Sequence, residues 1–169
     1  MKLLVTILLF CSVLANSQSL QGEVQAGYNR IGVFLNPTIG INFKSHIFSF
    51  GTRVYGYNLF FESNRFGPQL GYQYKFNTEK NRVYFFPSLS YSMYREQKSN
   101  SSLLLSEINL KYGMGLNINN RLSFVNAVGM GLVLSNSNLF NELIIIKNAY
   151  PSFEISLGLV YSFNNTDRQ

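Results

Sequence analysis

The sequence predicts an all-β chain, an eight-stranded antiparallel up-and-down transmembrane β-barrel, and three observations carry that expectation. Apolar and polar residues alternate with period two through eight segments. Charged residues make up 13% of the 169, against roughly 25% in an ordinary soluble domain. No stretch approaches the roughly 18–20 consecutive apolar residues that a spanning helix requires, so helical membrane architecture is excluded. With 46% apolar and 15% aromatic residues, a single domain of this size would struggle to clothe itself in a soluble surface.

The N-terminus is read separately from the fold. Lys2 precedes an apolar run from Leu3 to Leu14, and Ala15-Asn16-Ser17 then supplies small residues where a signal peptidase cuts. The expected organisation is a secretory signal peptide over residues 1–17, a barrel domain over 18–163 and a short polar tail over 164–169. Cys11 lies inside the apolar run behind Leu9-Phe10, which argues against lipid attachment. Its removal leaves a mature chain without cysteine, excluding disulfides, thiolate metal sites and thiol nucleophiles.

The segments follow in order. In the first, Val24, Ala26 and Tyr28 alternate with Glu23, Gln25, Gly27 and Asn29; in the second, Ile39, Ile41 and Phe43 alternate with Thr38, Gly40, Asn42 and Lys44. Phe48, Phe50, Thr52 and Val54 oppose Ser49, Gly51, Arg53 and Tyr55 in the third, and Leu70, Tyr72, Tyr74 and Phe76 oppose Gln69, Gly71, Gln73 and Lys75 in the fourth. The fifth sets Val83, Phe85, Leu89 and Tyr91 against Tyr84, Ser88, Ser90 and Ser92. The sixth is the longest, with apolar Leu104 and Ile108 to Ile118 against Glu107, Asn109, Lys111, Gly113, Gly115 and Asn117. The seventh, Leu122 to Leu134, is weaker, because Asn126 falls on the apolar face and Val125 and Val133 on the other. The eighth is clean, Phe153 to Phe163 against Ser152, Glu154, Ser156, Gly158 and Ser162. Connections are read as Gly32 to Pro37, Ser45-His46, Asn58 to Arg65, Asn77 to Asn81, Gln97 to Ser102, Asn119-Asn120 and Ser135 to Tyr150. Shorter turns on one side and longer loops on the other fit a membrane-crossing meander.

Alternation alone leaves open a lipocalin-like soluble barrel with its apolar face inward. The polar face decides between the two, being built from Gly, Ser, Asn, Gln and Thr with about one charge per strand, which suits a crowded narrow lumen. The apolar face is large throughout, and aromatics recur near strand ends at Tyr28, Phe43, Phe76, Tyr91, Phe153 and Phe163, as in the girdles of a lipid-facing surface.

The last strand, Ser156-Leu157-Gly158-Leu159-Val160-Tyr161-Ser162-Phe163, resembles the C-terminal assembly signal of outer-membrane proteins, carried by Ser156, Gly158, Tyr161 and Phe163. The mature chain is similar in length and strand count to the small OmpA/OmpX-like barrels of Gram-negative outer membranes. The resemblance implies localisation in the bacterial outer membrane, handling by the barrel-assembly machinery, and outer-membrane lipid and lipopolysaccharide as surroundings; a monomer is one state open to it, and the sequence does not fix the oligomeric state. Residues Asn164 to Gln169 depart from it, since many members stop at the aromatic; no peptidoglycan-binding module is expected after Phe163.

The inferred lumen carries Glu23, Lys44 and Lys75 towards the periplasmic end, and Arg53, Glu107, Lys111 and Glu154 towards its middle and outer half. Four cations against three anions suggest an ionic network rather than an open charged channel, because an unpartnered buried charge costs several kcal/mol; a selectivity filter is the alternative. No catalytic, cofactor or metal site is expected. The single histidine, His46, falls in a periplasmic turn, away from where a lipid-modifying enzyme would need it, and Gly113, Gly115, Gly129 and Gly131 are spread along strands rather than gathered in a phosphate-binding loop. The basic balance, net charge +6, is dispersed, which argues against nucleic acid. Arg30, Arg65, Arg95, Lys98 and Lys147 are expected near the outward loops, where they would face lipopolysaccharide phosphates or stand as solvated charges. The functional expectation is a structural or loop-mediated binding role with a filled lumen; the alternatives are a narrow pore for small solutes and a membrane enzyme.

Overall fold

Eight strands form one closed antiparallel barrel in sequential order: β1 (Ser19–Tyr28), β2 (Val33–Phe43), β3 (His46–Tyr55), β4 (Arg65–Tyr74), β5 (Val83–Lys98), β6 (Ser101–Asn117), β7 (Leu122–Leu139) and β8 (Ile145–Ser162). This computed structural model describes residues 19–56, 65–76, 82–98, 101–139 and 145–163; the expected signal peptide and C-terminal tail lie outside them. Closure comes from β1 pairing with β8 between Gln21–Ser162 and Tyr28–Ile155.

Following partners round the barrel from Ser19 leads through Asn42, Ile47, Gln73, Ser88, Lys111 and Gly129 to Glu154. Glu154 lies one residue beyond the Tyr28–Ile155 pair, level with Asn29, so one circuit climbs from Ser19 to Asn29 along β1. A stagger of that size in eight strands tilts each strand by about 45° from the barrel axis. The outward apolar residues form a continuous belt, with Phe66 at 74% exposure and Phe153 at 73%. On β7 the belt runs from Phe124 to Leu134, which at ~3.3 Å per residue and that tilt is about 23 Å high, close to the ~25 Å apolar band of transmembrane barrels. Aromatic pairs gather at the end that carries both chain termini: Phe43–Phe48, Phe48–Tyr72, Tyr74–Phe76 and Tyr161–Phe163.

Several expected connections prove to be strand. Gly32 to Pro37 is mostly β2, since Phe34 and Asn36 point inward while Val33, Leu35 and Pro37 point outward. Arg65 opens β4 instead of closing a loop. Residues Gln97 and Lys98, Ser135 to Leu139 and Ile145 to Tyr150 extend β5, β7 and β8 far above the belt, so the wall formed by β5 to β8 stands taller than that formed by β1 to β4. Above the belt neither face needs to be apolar, so a Ser/Asn-rich ladder carries no period-two signature and reads as loop.

All four prolines sit where the strand gives up a donor. The Gly56 N–H bonds Val33 O, so odd-numbered β2 residues present their polar groups to β3, and the β2–β3 pairing lapses at Asn36 and Pro37, between Leu35–Val54 and Thr38–Gly51, with the register the same on either side. Phe76 N–H donates to Phe85 O, which places Pro68 of β4 and Pro87 of β5 with their missing donors facing one another's strand. The β4–β5 ladder accordingly spans only Gln69–Ser92 to Gln73–Ser88. Pro151 lies on the part of β8 that rises past the end of β1, and Arg30 Nη1 donates to its carbonyl at 3.2 Å, capping that free edge.

Candidate functional site

The barrel interior is layered. At the end bearing the termini, Tyr84, Phe86, Val125, Ala127 and Val160 form one buried apolar cluster. At the opposite end Ile31, Phe34, Tyr55, Tyr94, Leu105 and Val133 form another. Val125 and Val133, which weakened the alternation of the seventh segment, are thus inward residues of the two apolar layers, one in each. Glycines make room for the rings: a Cβ on Gly113 would strike Phe86, and one on Gly115 would strike Tyr84.

Between these layers lies an ionic cluster. Arg53, at 0% exposure, donates from Nη1 to Glu154 Oε2 at 2.8 Å and to Glu107 Oε2 at 3.2 Å, and from Nη2 to Glu154 Oε1 at 3.2 Å. Its Nε donates to Gln69 Oε1 at 2.8 Å, and its guanidinium carbon stands 4.2 Å from the Phe34 ring centre. Glu154 also accepts from Lys111 Nζ at 3.0 Å and Asn109 Nδ2 at 2.9 Å. Glu107 accepts from the Tyr55 hydroxyl at 2.8 Å and from Asn29 Nδ2 at 2.6 Å. Two cations therefore meet two carboxylates with nearly every lone pair occupied, the condition under which a buried ion pair is tolerated.

Asn29 links this cluster to the β1–β2 connection. Its side-chain oxygen accepts from the N–H of Ile31 at 2.9 Å and of Gly32 at 3.2 Å, while its amide reaches Tyr55 and Glu107. Such an Asx-type turn folds Ile31 down over the lumen.

Of the residues expected in the lumen, Arg53, Glu107, Lys111 and Glu154 come together here. Glu23 and Lys75 lie apart from them, towards the termini. Glu23 is buried and accepts from Gln25 Nε2 at 2.6 Å, and Lys75 Nζ approaches Gln21 Oε1 at 3.4 Å and the Tyr84 ring. Lys44 does not join the interior: it is exposed in the turn between β2 and β3 with φ of 56°, because the alternation ends at Phe43 where the chain reverses. Arg65 is the opposite correction. It is buried at the start of β4, since the strand begins earlier than its polar sequence suggests. Arg30 and Arg95 are exposed; the side chains of Lys98 and Lys147 lie outside the described residues. Asn29, Tyr55, Gln69 and Asn109 complete the cluster, and only their inward parity in the sequence signalled them.

In the last strand Ser156 and Gly158 face inward, and Tyr161 and Phe163 face outward with rings 5.4 Å apart. Phe163 N–H donates to Leu20 O at 2.9 Å, so this aromatic sits on the closing seam. His46 Nδ1 lies 2.8 Å from the Tyr72 hydroxyl and its ring packs edge-on to Tyr74, so its neighbours are phenols on the outer surface.

A closed barrel with an outward apolar belt and inward charges has the fold of small transmembrane β-barrels. Among solved structures it is similar to the N-terminal β-barrel domain of Pseudomonas aeruginosa OprF, with 12% identity and TM-score 0.61 over 87% of this chain and 98% of that one. It is similar also to Neisserial surface protein A (NspA), with 13% identity and TM-score 0.58 over 85% and 96% of the two chains. No protein-family model and no curated protein matches the sequence.

Proposed function

We propose that the chain is an integral outer-membrane protein whose lumen is filled by its own side chains, and whose role is structural or is carried by the crown of strands and connections above the belt. One observation supports this most: Arg53, Glu107 and Glu154, each at 0–1% exposure, are held between two buried apolar layers. Ion passage would have to part the Arg53–Glu154 bidentate pair and displace rings at both ends. The apolar belt and the likeness in fold to OprF and NspA support the membrane setting, and the Lys2 to Ser17 leader supports export. The non-enzymatic reading rests on the position of His46, on the outer surface with Tyr72 and Tyr74 as partners. The exposure of Arg30 and Arg95 at the far end is compatible with contact to lipopolysaccharide phosphates and equally with solvated surface charges.

Planar-bilayer recording tests the filled lumen. The expected record lacks sustained openings; steady nanosiemens-scale conductance, altered by Glu154→Gln, would establish the narrow-pore alternative instead.

A further inference from the structure

A shallow cavity of about 530 Å³ opens on the outer rim at the turn between β6 and β7, lined by Asn119, Asn120, Arg121, Leu122 and Tyr161. Leu122 and Tyr161 are register partners on adjacent strands and both face outward, so the upper wall of the cavity continues the apolar belt. Its lower wall is polar. Asn119 Oδ1 accepts from the N–H of Arg121 at 2.8 Å and of Leu122 at 2.7 Å, which fixes the turn and holds exposed Arg121 just below the aromatic pair Tyr161–Phe163. Among the described residues, Lys44 and Arg82 are likewise exposed at this end of the barrel.

We infer that this rim cavity is a binding site for the phosphate of a glycerophospholipid of the inner leaflet, with the Arg121 side chain on the phosphate and Leu122 and Tyr161 against the glycerol and first acyl carbons. The inference rests on the membrane reading above. It follows from the order of surfaces: apolar wall, then aromatic edge, then cation, in the same sequence as acyl chain, ester region and phosphate in a lipid. Guanidinium is the side chain best matched to a phosphate.

The test uses the purified protein in maltoside micelles, titrated separately with dihexanoyl-phosphatidylglycerol, dihexanoylglycerol and inorganic phosphate while the backbone amide shifts of Asn120, Arg121 and Leu122 are followed. Saturable shifts with the phospholipid alone are expected. Arg121→Gln should weaken them by about tenfold, the loss of one charge-assisted contact, and Arg82→Gln should leave them unchanged. An equal response to inorganic phosphate would mean an anion site without a lipid component, and an equal response to the phosphate-free glyceride would mean apolar adsorption; either overturns the proposal, as does an unchanged affinity in Arg121→Gln. Should that variant not fold, the three titrations of the unaltered protein decide. Cross-relaxation between detergent chains and Phe66 or Leu110 is recorded on the same samples. Its absence would remove the membrane setting itself, whereas its presence without saturable shifts would remove only this site.

Discussion

Truncation of Arg53 to Ala leaves Glu107 and Glu154 inside the barrel with their shared cation gone. That should cost about 3–5 kcal/mol, read from urea unfolding in lipid vesicles. Lys111→Met should cost less, about 1.5 kcal/mol, because Glu154 keeps its bidentate partner Arg53 and the Asn109 amide. Equal midpoints for the Arg53 variant and the unaltered protein would remove the cluster from the stability of the fold. The four charged members of the cluster were legible in the sequence, because a period-two strand assigns each residue a side and few charges fall on the inner one. The neutral members were not, since alternation makes Asn29 and Gln69 inward like many other amides without saying which charges they meet, Glu107 lying 78 residues from Asn29 and Arg53 16 residues from Gln69. Lys44 and Arg65 were misplaced for one reason: parity fixes a side only within a strand, and both lie at strand ends.

At the scale of elements, the prolines set an uneven pattern of seams. β5–β6, β6–β7 and β7–β8 are long uninterrupted ladders, while β4–β5 is short and bounded by Pro68 and Pro87. Amide hydrogen exchange in micelles should therefore be faster at Leu70, Tyr72, Leu89 and Tyr91, which point into the β4–β5 seam, than at residues of equal depth in β6 and β7. Pro87→Ala returns a donor that faces β4 and should slow exchange along the seam. Uniform protection round the barrel would mean that the missing donors do not weaken it. The existence and order of all eight strands could be read from the sequence, because the belt imposes alternation on each. The upper reaches of β5, β7 and β8 could not, because Ser and Asn satisfy the backbone pairing there as readily as they satisfy a loop.

For the whole molecule, closure depends on β8 meeting β1, and Phe163 stands on that seam with its N–H on Leu20 O and its ring beside Gly22. Phe163→Ser removes an outward aromatic at the rim and the end of the proposed assembly signal together, so the expected outcome is periplasmic accumulation and degradation, followed by fractionation and immunoblotting. Deletion of Asn164 to Gln169 should leave membrane insertion intact. Insertion of the Phe163 variant alongside failure of the tail deletion would place the signal elsewhere.

The proximity of Phe163 to Leu20 also bears on how the chain reaches its fold. Seven of the eight strand pairs join neighbours along the chain, and only β1–β8 unites its two ends. The loop-closure entropy of the whole domain is thus concentrated in one late event, while each hairpin can form from local contacts. A circular permutant that joins the present ends by a short linker, with new ends between β3 and β4, makes β1–β8 one more hairpin and moves the end-to-end closure elsewhere. It should refold into micelles at about the rate of the parent chain, because the length of chain to be closed is unchanged, and a large change in rate would mean that closure is not the slow step. It would still have to close a ring, but the long-range step would now fall on the β3–β4 ladder, from His46–Tyr74 to Tyr55–Arg65, which is longer than the β1–β8 ladder it replaces.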